Sequence, residues 1–235
     1  MIKKNVAIIG RGRWGLVLKK KLKSISNLIF VTGKSYKTKN YENVDWVFIA
    51  TPDSTHKEVI DYFLKKKINV FCEKPLVRNF RSAKIILNNF KKKKIKIYIS
   101  DVLIYLKKKI KFKKNNEIFR SKNANYNLEE ILFRLAYHDI YFCSNFLKKR
   151  KLSLSKNFKQ RKLKLNIETN RKNFSFVYNL KRNIKEHLYN SQKISYGEDP
   201  VKNMLLTVLY KKPNYSKNHK RSLFTLKLID KIKKT

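Results

Sequence analysis

The run Val6-Ala7-Ile8-Ile9, followed by Gly10-Arg11-Gly12-Arg13-Trp14-Gly15, constrains this chain more than any other stretch. Four consecutive apolar residues read as a strand buried on both faces. Leu16, Val17, Leu18 and Leu22, set among lysines, read as an amphipathic helix. A strand, a G-x-G-x-x-G turn and a helix together make a phosphate-binding arrangement. Gly10 permits the turn, Gly12 lets backbone approach a pyrophosphate, and Gly15 lets the helix pack close. The first N–H groups of the helix then face the anion. Arg11, Arg13 and Trp14 lie within the same turn and join the cofactor-binding candidates.

Further on, Leu28–Val31 predicts a second strand, ending at Thr32-Gly33-Lys34-Ser35. An NAD site places an acid at about this distance to hold the ribose hydroxyls. No acid stands between Thr32 and Tyr41; Lys34 and Ser35, with Arg11 and Arg13, suit a 2′-phosphate instead. NADP is therefore preferred, with NAD as the alternative. Asp45–Ala50 predicts a third buried strand leading into Thr51-Pro52-Asp53-Ser54-Thr55-His56. Thr55 and Glu58 have the spacing of a capping box, ahead of a helix facing inward through Val59, Ile60, Phe63 and Leu64. A fourth strand, Ile68–Cys72, ends at Glu73-Lys74-Pro75; Asn79 caps a further helix, and Ile95–Ile99 is the next strand. Strands alternating with helices predict a doubly wound parallel sheet, whose ligands lie at the carboxyl ends of the strands. The glycine turn, Thr51–His56 and Glu73–Pro75 all fall at those ends.

These three motifs, G-x-G-x-x-G, the A-T-P-x-x-x-H of Ala50–His56 and the E-K-P of Glu73–Pro75, closely resemble those of the Gfo/Idh/MocA oxidoreductases. The resemblance is dense over residues 4–101 and thinner afterwards. It implies an NAD(P)-dependent dehydrogenase or reductase of CH–OH groups, acting on a sugar, cyclitol or nucleotide-sugar carbon. It also implies that Lys74 lies beside the nicotinamide ribose and the reacting carbon, where an ammonium stabilises the oxygen's developing charge. Thr51, Pro52, His56 and Glu73 become cofactor contacts. A lysine is ordinarily a solvated cation, and the position of Lys74 at a strand end favours function; His56 stands evenly between a ligand contact and a capping or core role.

Asn127 and Glu130 form a second capping-box spacing, for a helix running to about Leu147. Glu130, Arg134, His138, Tyr141 and Asn145 fall on one polar stripe of it, which by itself is a wet face. Ala136–Ile140 resembles the family's histidine helix, which implies His138 as proton acceptor alongside Lys74. The family's acids four residues before and three after that histidine are replaced by Arg134 and Tyr141. His138 is then a poorer base, and Tyr137 or Tyr141 is the alternative proton carrier.

Leu163–Ile167 and Phe174–Leu180 alternate as half-buried strands, with Lys185–Tyr189 and Lys193–Tyr196 as two more. Asp199-Pro200 opens a helix, and another follows Pro213. The expected architecture is α/β. A Rossmann-type domain spans residues 1–103 and a smaller, shortened α+β domain with a small antiparallel sheet spans 104–214. A helix over 215–235 returns to the first domain. By the resemblance, the open face of the second sheet builds a homo-oligomer.

Composition bears mainly on what to discount. Lys+Arg number 58 against 16 acids, a formal charge of +42. Nucleic acid or an anionic membrane is the obvious partner. However, the excess is lysine rather than arginine, it is spread along the chain, and Asn, Ile, Phe and Tyr, which share its A/T-rich codons, are abundant too. Drift onto solvated faces is the preferred reading, with polyanion binding the lesser one. Cys72 and Cys143 are far apart and in apolar settings, as in a reducing compartment. No apolar run spans a bilayer, so a soluble cytoplasmic protein is expected. No metal-ligand cluster or nucleophile motif is present in the sequence. A degenerate, non-catalytic dinucleotide sensor or scaffold is the alternative to the enzyme.

Overall fold

The computed structural model describes residues 2–106, 110–147, 152–194 and 199–235. In chain order the elements begin with β1 (Asn5–Ile9), α1 (Arg13–Ile25), β2 (Asn27–Thr32) and β3 (Trp46–Ile49). Next come α2 (His56–Lys65), β4 (Asn69–Cys72), α3 (Phe80–Lys92), β5 (Ile97–Ile99) and β6 (Asn115–Asn123). One long helical segment follows, made of α4 (Leu128–Ile131), a π-helical turn (Leu132–Ala136) and α5 (Tyr137–Leu147). β7 (Ser153–Lys159), β8 (Lys162–Glu168), β9 (Asn173–Asn179), β10 (Lys181–Tyr189) and β11 (Gln192–Lys193) precede α6 (Pro200–Tyr210) and α7 (Tyr215–Lys234). The chain divides into two compact units, Met1–Tyr105 with Asp199–Leu223, and Leu106–Glu198 with Phe224–Thr235.

The first unit is a five-stranded parallel sheet in the order β2-β1-β3-β4-β5. Its central strands are apolar on both faces because helices cover both. Val6, Ile8, Phe48, Phe71 and Tyr98 share one core with Leu18, Leu22 and Ile25 of α1 and Met204, Leu205, Val208 and Leu209 of α6. The alternate residues, including Ala7, Ile9, Val47, Ile49 and Val70, are equally buried and face the other way, where α2 packs on β3 and β4. Each Val, Leu, Ile, Phe or Met side chain among them contributes on the order of 1.5–3 kcal/mol by burial. The edge at β5 is closed by a side chain. The Asn218 amide accepts from the Ile99 N–H (3.1 Å) and donates to the Ile99 carbonyl (2.8 Å), standing in for the next strand.

The order reverses between β1 and β3, so the crevice at their carboxyl ends is the topological switch point. Asn79 caps α3 by accepting from the Ser82 N–H at 2.9 Å, and Asp199 caps α6 ahead of Pro200. Two local expectations fail. Leu16 is 58% exposed, because the inward face of α1 is Gly15, Leu18, Leu22 and Ile25. Thr55 and Glu58 form no capping box. A 3-10 turn over Asp53–Thr55 turns the Thr55 hydroxyl back to the Pro52 carbonyl (2.8 Å), and Glu58 bonds Lys37 (2.6 Å).

The second unit holds a six-stranded sheet in the order β11-β10-β6-β9-β8-β7. It is mixed rather than antiparallel, because β6 runs parallel to β9 and lies between the consecutive strands β9 and β10. The intervening helical segment and the β7–β8 hairpin give the chain room to bring β9 alongside in that sense. Leu163, Leu165, Ile167, Phe174, Phe176 and Tyr178 line the buried face at alternate positions, as the pattern predicts. The expected strand at Lys193–Tyr196 is the short β11; residues 195–198 lie outside the described residues. The capping box of Asn127 and Glu130 is present in full.

Candidate dinucleotide and catalytic site

Gly10 has φ +125°, and a Cβ there would run into the Ala50 carbonyl at the end of β3. A Cβ on Gly15 would strike the Gly10 carbonyl, so α1 packs on the turn with no space between. Gly12 differs: a Cβ there meets nothing within 4 Å. The turn is therefore folded tightly behind Gly10 and Gly15 and open in front of Gly12. Gly12 is also the N-cap of α1, with no side-chain cap and no acid in the first turn. Its leading N–H groups are left for an anion. Arg11, Arg13 and Trp14 are exposed around the opening.

Two clasps join the loop after β3 to the loop after β4. His56 is 1% exposed and sets its ring nitrogens against two backbone carbonyls, Nδ1 2.8 Å from Pro75 and Nε2 3.0 Å from Thr51, and the neutral ring donates its one N–H to one of them. Burial lowers its pKa, opposed by those same two carbonyls. The Arg78 guanidinium forks onto the Asp53 carboxylate at 2.9 and 3.1 Å. The sheet ladder continues through both loops, with the Ala50 N–H donating to Ile9 and the Glu73 N–H to Ile49 (2.8 and 2.9 Å). Gly10, Thr51 and Lys74 are thus held at one edge by backbone, imidazole and guanidinium together. His56 acts here as a brace between loops.

Glu73 is buried, and its Oε1 has no hydrogen-bond partner among the described residues. Burial raises its pKa, while the Lys74 ammonium and the Ser100 hydroxyl pull it down. The peptide between Lys74 and Pro75 is cis, and Lys74 itself is half-buried. At the end of β2 the Thr32 and Ser35 hydroxyls lie 3.1 Å apart, Lys34 is exposed, and the Arg11 Cδ comes to 4.0 Å of where a Gly33 Cβ would stand. The nearby acid, Glu58, is held by Tyr36 (3.1 Å) and Lys37. The residues present fit a dinucleotide: an open glycine cradle, unspent helix N–H groups and an orphaned buried carboxylate oxygen. Among the described residues no group of three or more His, Cys, Asp or Glu could hold a metal.

Lys74 belongs to the first unit, whereas His138 and Tyr141 belong to the second, on α5. Only part of the expected polar stripe is wet. Tyr141 is 3% exposed and stacks on the buried Tyr137 (centroids 6.2 Å, planes 24° apart). A residue four along a helix lies only about 40° round from the first, so Tyr141 follows Tyr137 into the core. His138 is half-buried.

Asp139, the next residue, is the group that sequence reasoning missed. It is fully buried and accepts five hydrogen bonds. Two come from the Arg120 fork (2.8 Å each) and one each from Tyr189 (2.8 Å), His187 Nε2 (2.9 Å) and Tyr178 (3.1 Å). Burial alone drives its pKa upward, but the Arg120 and His187 charges and bonds prevail and hold it well below the usual carboxylate range. The signal in the sequence was positional. Asp139 keeps the spacing of the inward residues Leu132, Ala136, Cys143 and Leu147, and an acid on an apolar stripe requires partners.

A sequence model of an oxidoreductase family with an NAD-binding Rossmann fold, Gfo/Idh/MocA, matches residues 20–100, which include both Ala50–His56 and Glu73–Pro75. No curated protein matches the chain. Among solved structures, a putative myo-inositol dehydrogenase from Sinorhizobium meliloti is similar at a TM-score of 0.78 and 13% identity, over 97% of this chain and 95% of that one. UDP-N-acetylglucosamine 3-dehydrogenase from Acidithiobacillus ferrooxidans gives 0.77 and 13%, over 99% and 97%. The WlbA dehydrogenase of Thermus thermophilus, solved with NAD and UDP-GlcNAcA, gives 0.76 and 12%, over 97% and 94%. At these identities the likeness is one of fold. Over residues 20–100 the chain is similar to the NAD-binding Rossmann domain of the Gfo/Idh/MocA oxidoreductases, and over nearly its whole length it shares the fold of these dehydrogenase structures.

Proposed function

We propose that the chain is an NADP-preferring dehydrogenase that moves a hydride between the nicotinamide and a hydroxyl-bearing carbon of a sugar, cyclitol or nucleotide sugar. The observation that carries this reading is the bracing of three loops at one sheet edge, with Gly12 open to an anion and Lys74 on the neighbouring strand end. The bound cofactor supplies a two-electron hydride acceptor or donor. The chain's own residues do the rest. Gly12 and the N-terminus of α1 hold the pyrophosphate, Arg11, Lys34 and Ser35 take the 2′-phosphate, and Thr51, Pro52 and Glu73 line the ribose side. The Lys74 ammonium donates a hydrogen bond to the reacting oxygen and stabilises charge there as the carbonyl forms. His138 takes the hydroxyl proton.

Replacing Lys74 by Ala removes the hydrogen-bond donor to the reacting oxygen and leaves the cradle intact. Turnover on a panel of sugars and nucleotide sugars falls by at least about 100-fold, while NADPH affinity from fluorescence titration is unchanged. Retained turnover overturns the assignment. Parallel titration with NADH tests the cofactor preference, and equal affinities remove it.

The second reading, a dinucleotide-binding sensor without redox activity, draws on one observation. The acid adjacent to His138 is committed to Arg120, His187 and two tyrosines, and Arg134 and Tyr141 stand where the family's orienting acids would be. NADPH binding with no turnover on that panel selects it.

A further inference from the structure

Within the second unit a cavity of about 290 Å³ opens beside β6 and β10, under Leu135 of the π-helical turn. Its polar wall is Arg120, Lys122, Lys185, Lys193, His187 and Glu186. Arg120 is bound to Asp139 through Nε and Nη2 only, so three of its five N–H groups have no acceptor among the described residues. Its side chain is 15% exposed, held rigid from behind by a fully buried carboxylate. Lys122 is fixed by Tyr126, donating to its hydroxyl (2.7 Å) and lying 4.3 Å over its ring. Lys185 and Lys193 are exposed and have no acceptor among the described residues.

The charge is unbalanced. Burial lowers the His187 pKa and favours its neutral form, against the pull of Asp139. Among the described residues, Arg120 with three lysines, against Asp139 and Glu186, gives four cations and two carboxylates, a net +2. Glu186 is itself paired with Arg182 at 3.0 Å, which weakens its claim on the cavity further. A phosphate monoester carries close to two negative charges near pH 7 and offers three acceptor oxygens, whereas a carboxylate brings one charge. The volume lies near the lower end of small-molecule pockets, roughly 300 Å³, which is the scale of one phosphorylated sugar.

We propose that this cavity binds the phosphate group of a small phosphorylated metabolite, held by the outward N–H groups of Arg120 and by Lys185 and Lys193. The site lies wholly within the second unit and needs no hydride chemistry.

The test is calorimetric titration of the full chain with glucose 6-phosphate, inorganic phosphate and glucose, at about 0.15 M salt so that diffuse surface attraction is screened. Glucose 6-phosphate and phosphate should bind at one site with Kd at or below about 1 mM, and glucose should not bind. The double variant Lys185→Ala/Lys193→Ala should weaken glucose 6-phosphate binding about tenfold or more, while Lys162→Ala/Lys164→Ala, an exposed pair on β8, should not. Equal losses in the two variants overturn the proposal by assigning binding to general charge. No loss in either, no saturable binding, or binding of glucose as tight as its phosphate also overturns it. Arg120 is left untouched because its removal strands Asp139.

Discussion

Gly10 and Gly12 are two residues apart and answer to different demands. Gly10 is required by the backbone: φ +125° and the Ala50 carbonyl both exclude a side chain. Gly10→Ala should cost more than about 2 kcal/mol in a denaturant melt, since strain and overlap add. Gly12 has an ordinary extended conformation (φ −72°, ψ −176°) and free space at its Cβ position. Gly12→Ala should melt within about 0.5 kcal/mol of the parent yet lose NADPH affinity by about tenfold or more, because the methyl occupies the pyrophosphate's approach. A Gly12→Ala protein that binds NADPH normally removes the cradle from the proposed site. At this scale the sequence was most legible. The three glycines, the A-T-P and the E-K-P each need a particular residue type at a particular place. Asp139 was not legible as a hub, because Arg120, Tyr178, His187 and Tyr189 come to it from three separate strands.

Among elements, the strands of the first sheet announce themselves because each is apolar on both faces. β6 does not. Its sequence Asn115–Asn123 buries Asn116 and most of Arg120 on the same face as Ile118, so its inward face reads as polar. The polar inward face exists because α5 presents Asp139 to it. This pairing sets how the second unit responds to acid. The Asp139 pKa is depressed in the folded state, so its contribution is complete above the ordinary carboxylate range and is lost as pH falls through and below it. The His187 pKa is also lowered, by burial, so the folded state resists its protonation and loses stability as pH drops through about 6.5. Glu73 has the opposite sign: its raised pKa favours the folded state at low pH, and that contribution fades as pH rises. Asp139→Asn should lower stability at pH 7 by about 3–5 kcal/mol, since it leaves Arg120 buried without its counter-charge. Its melting temperature should also fall less between pH 6 and 3 than the parent's. Parallel slopes for the two proteins in that range would show that Asp139 carries no linkage.

Over the whole molecule, the charge of +42 is an energetic fact whatever its origin. Self-repulsion at low salt opposes the compact state, and the Debye length shrinks from about 30 Å at 0.01 M to about 8 Å at 0.15 M. The melting temperature should therefore rise by about 5 °C or more across that interval, as roughly 2 kcal/mol of repulsion is screened. A flat profile would mean that local ion pairs, such as Arg120–Asp139 and Arg78–Asp53, already offset the excess. Among the described residues no helix is long and apolar enough to cross a membrane.

The sequence alone determined the parallel sheet, its glycine turn and the edge where the dinucleotide motifs meet. Those features rest on local rules: the two-residue period of a strand, the conformational freedom of glycine, and the placement of ligands at strand ends. Tertiary structure decided what depends on groups distant in the chain. It turned His56 into a brace between the Thr51 and Pro75 carbonyls and placed β6 between β9 and β10. It also surrounded Asp139 with five donors. A buried charge is tolerable only where the fold gathers its partners, and no spacing along the chain records that gathering.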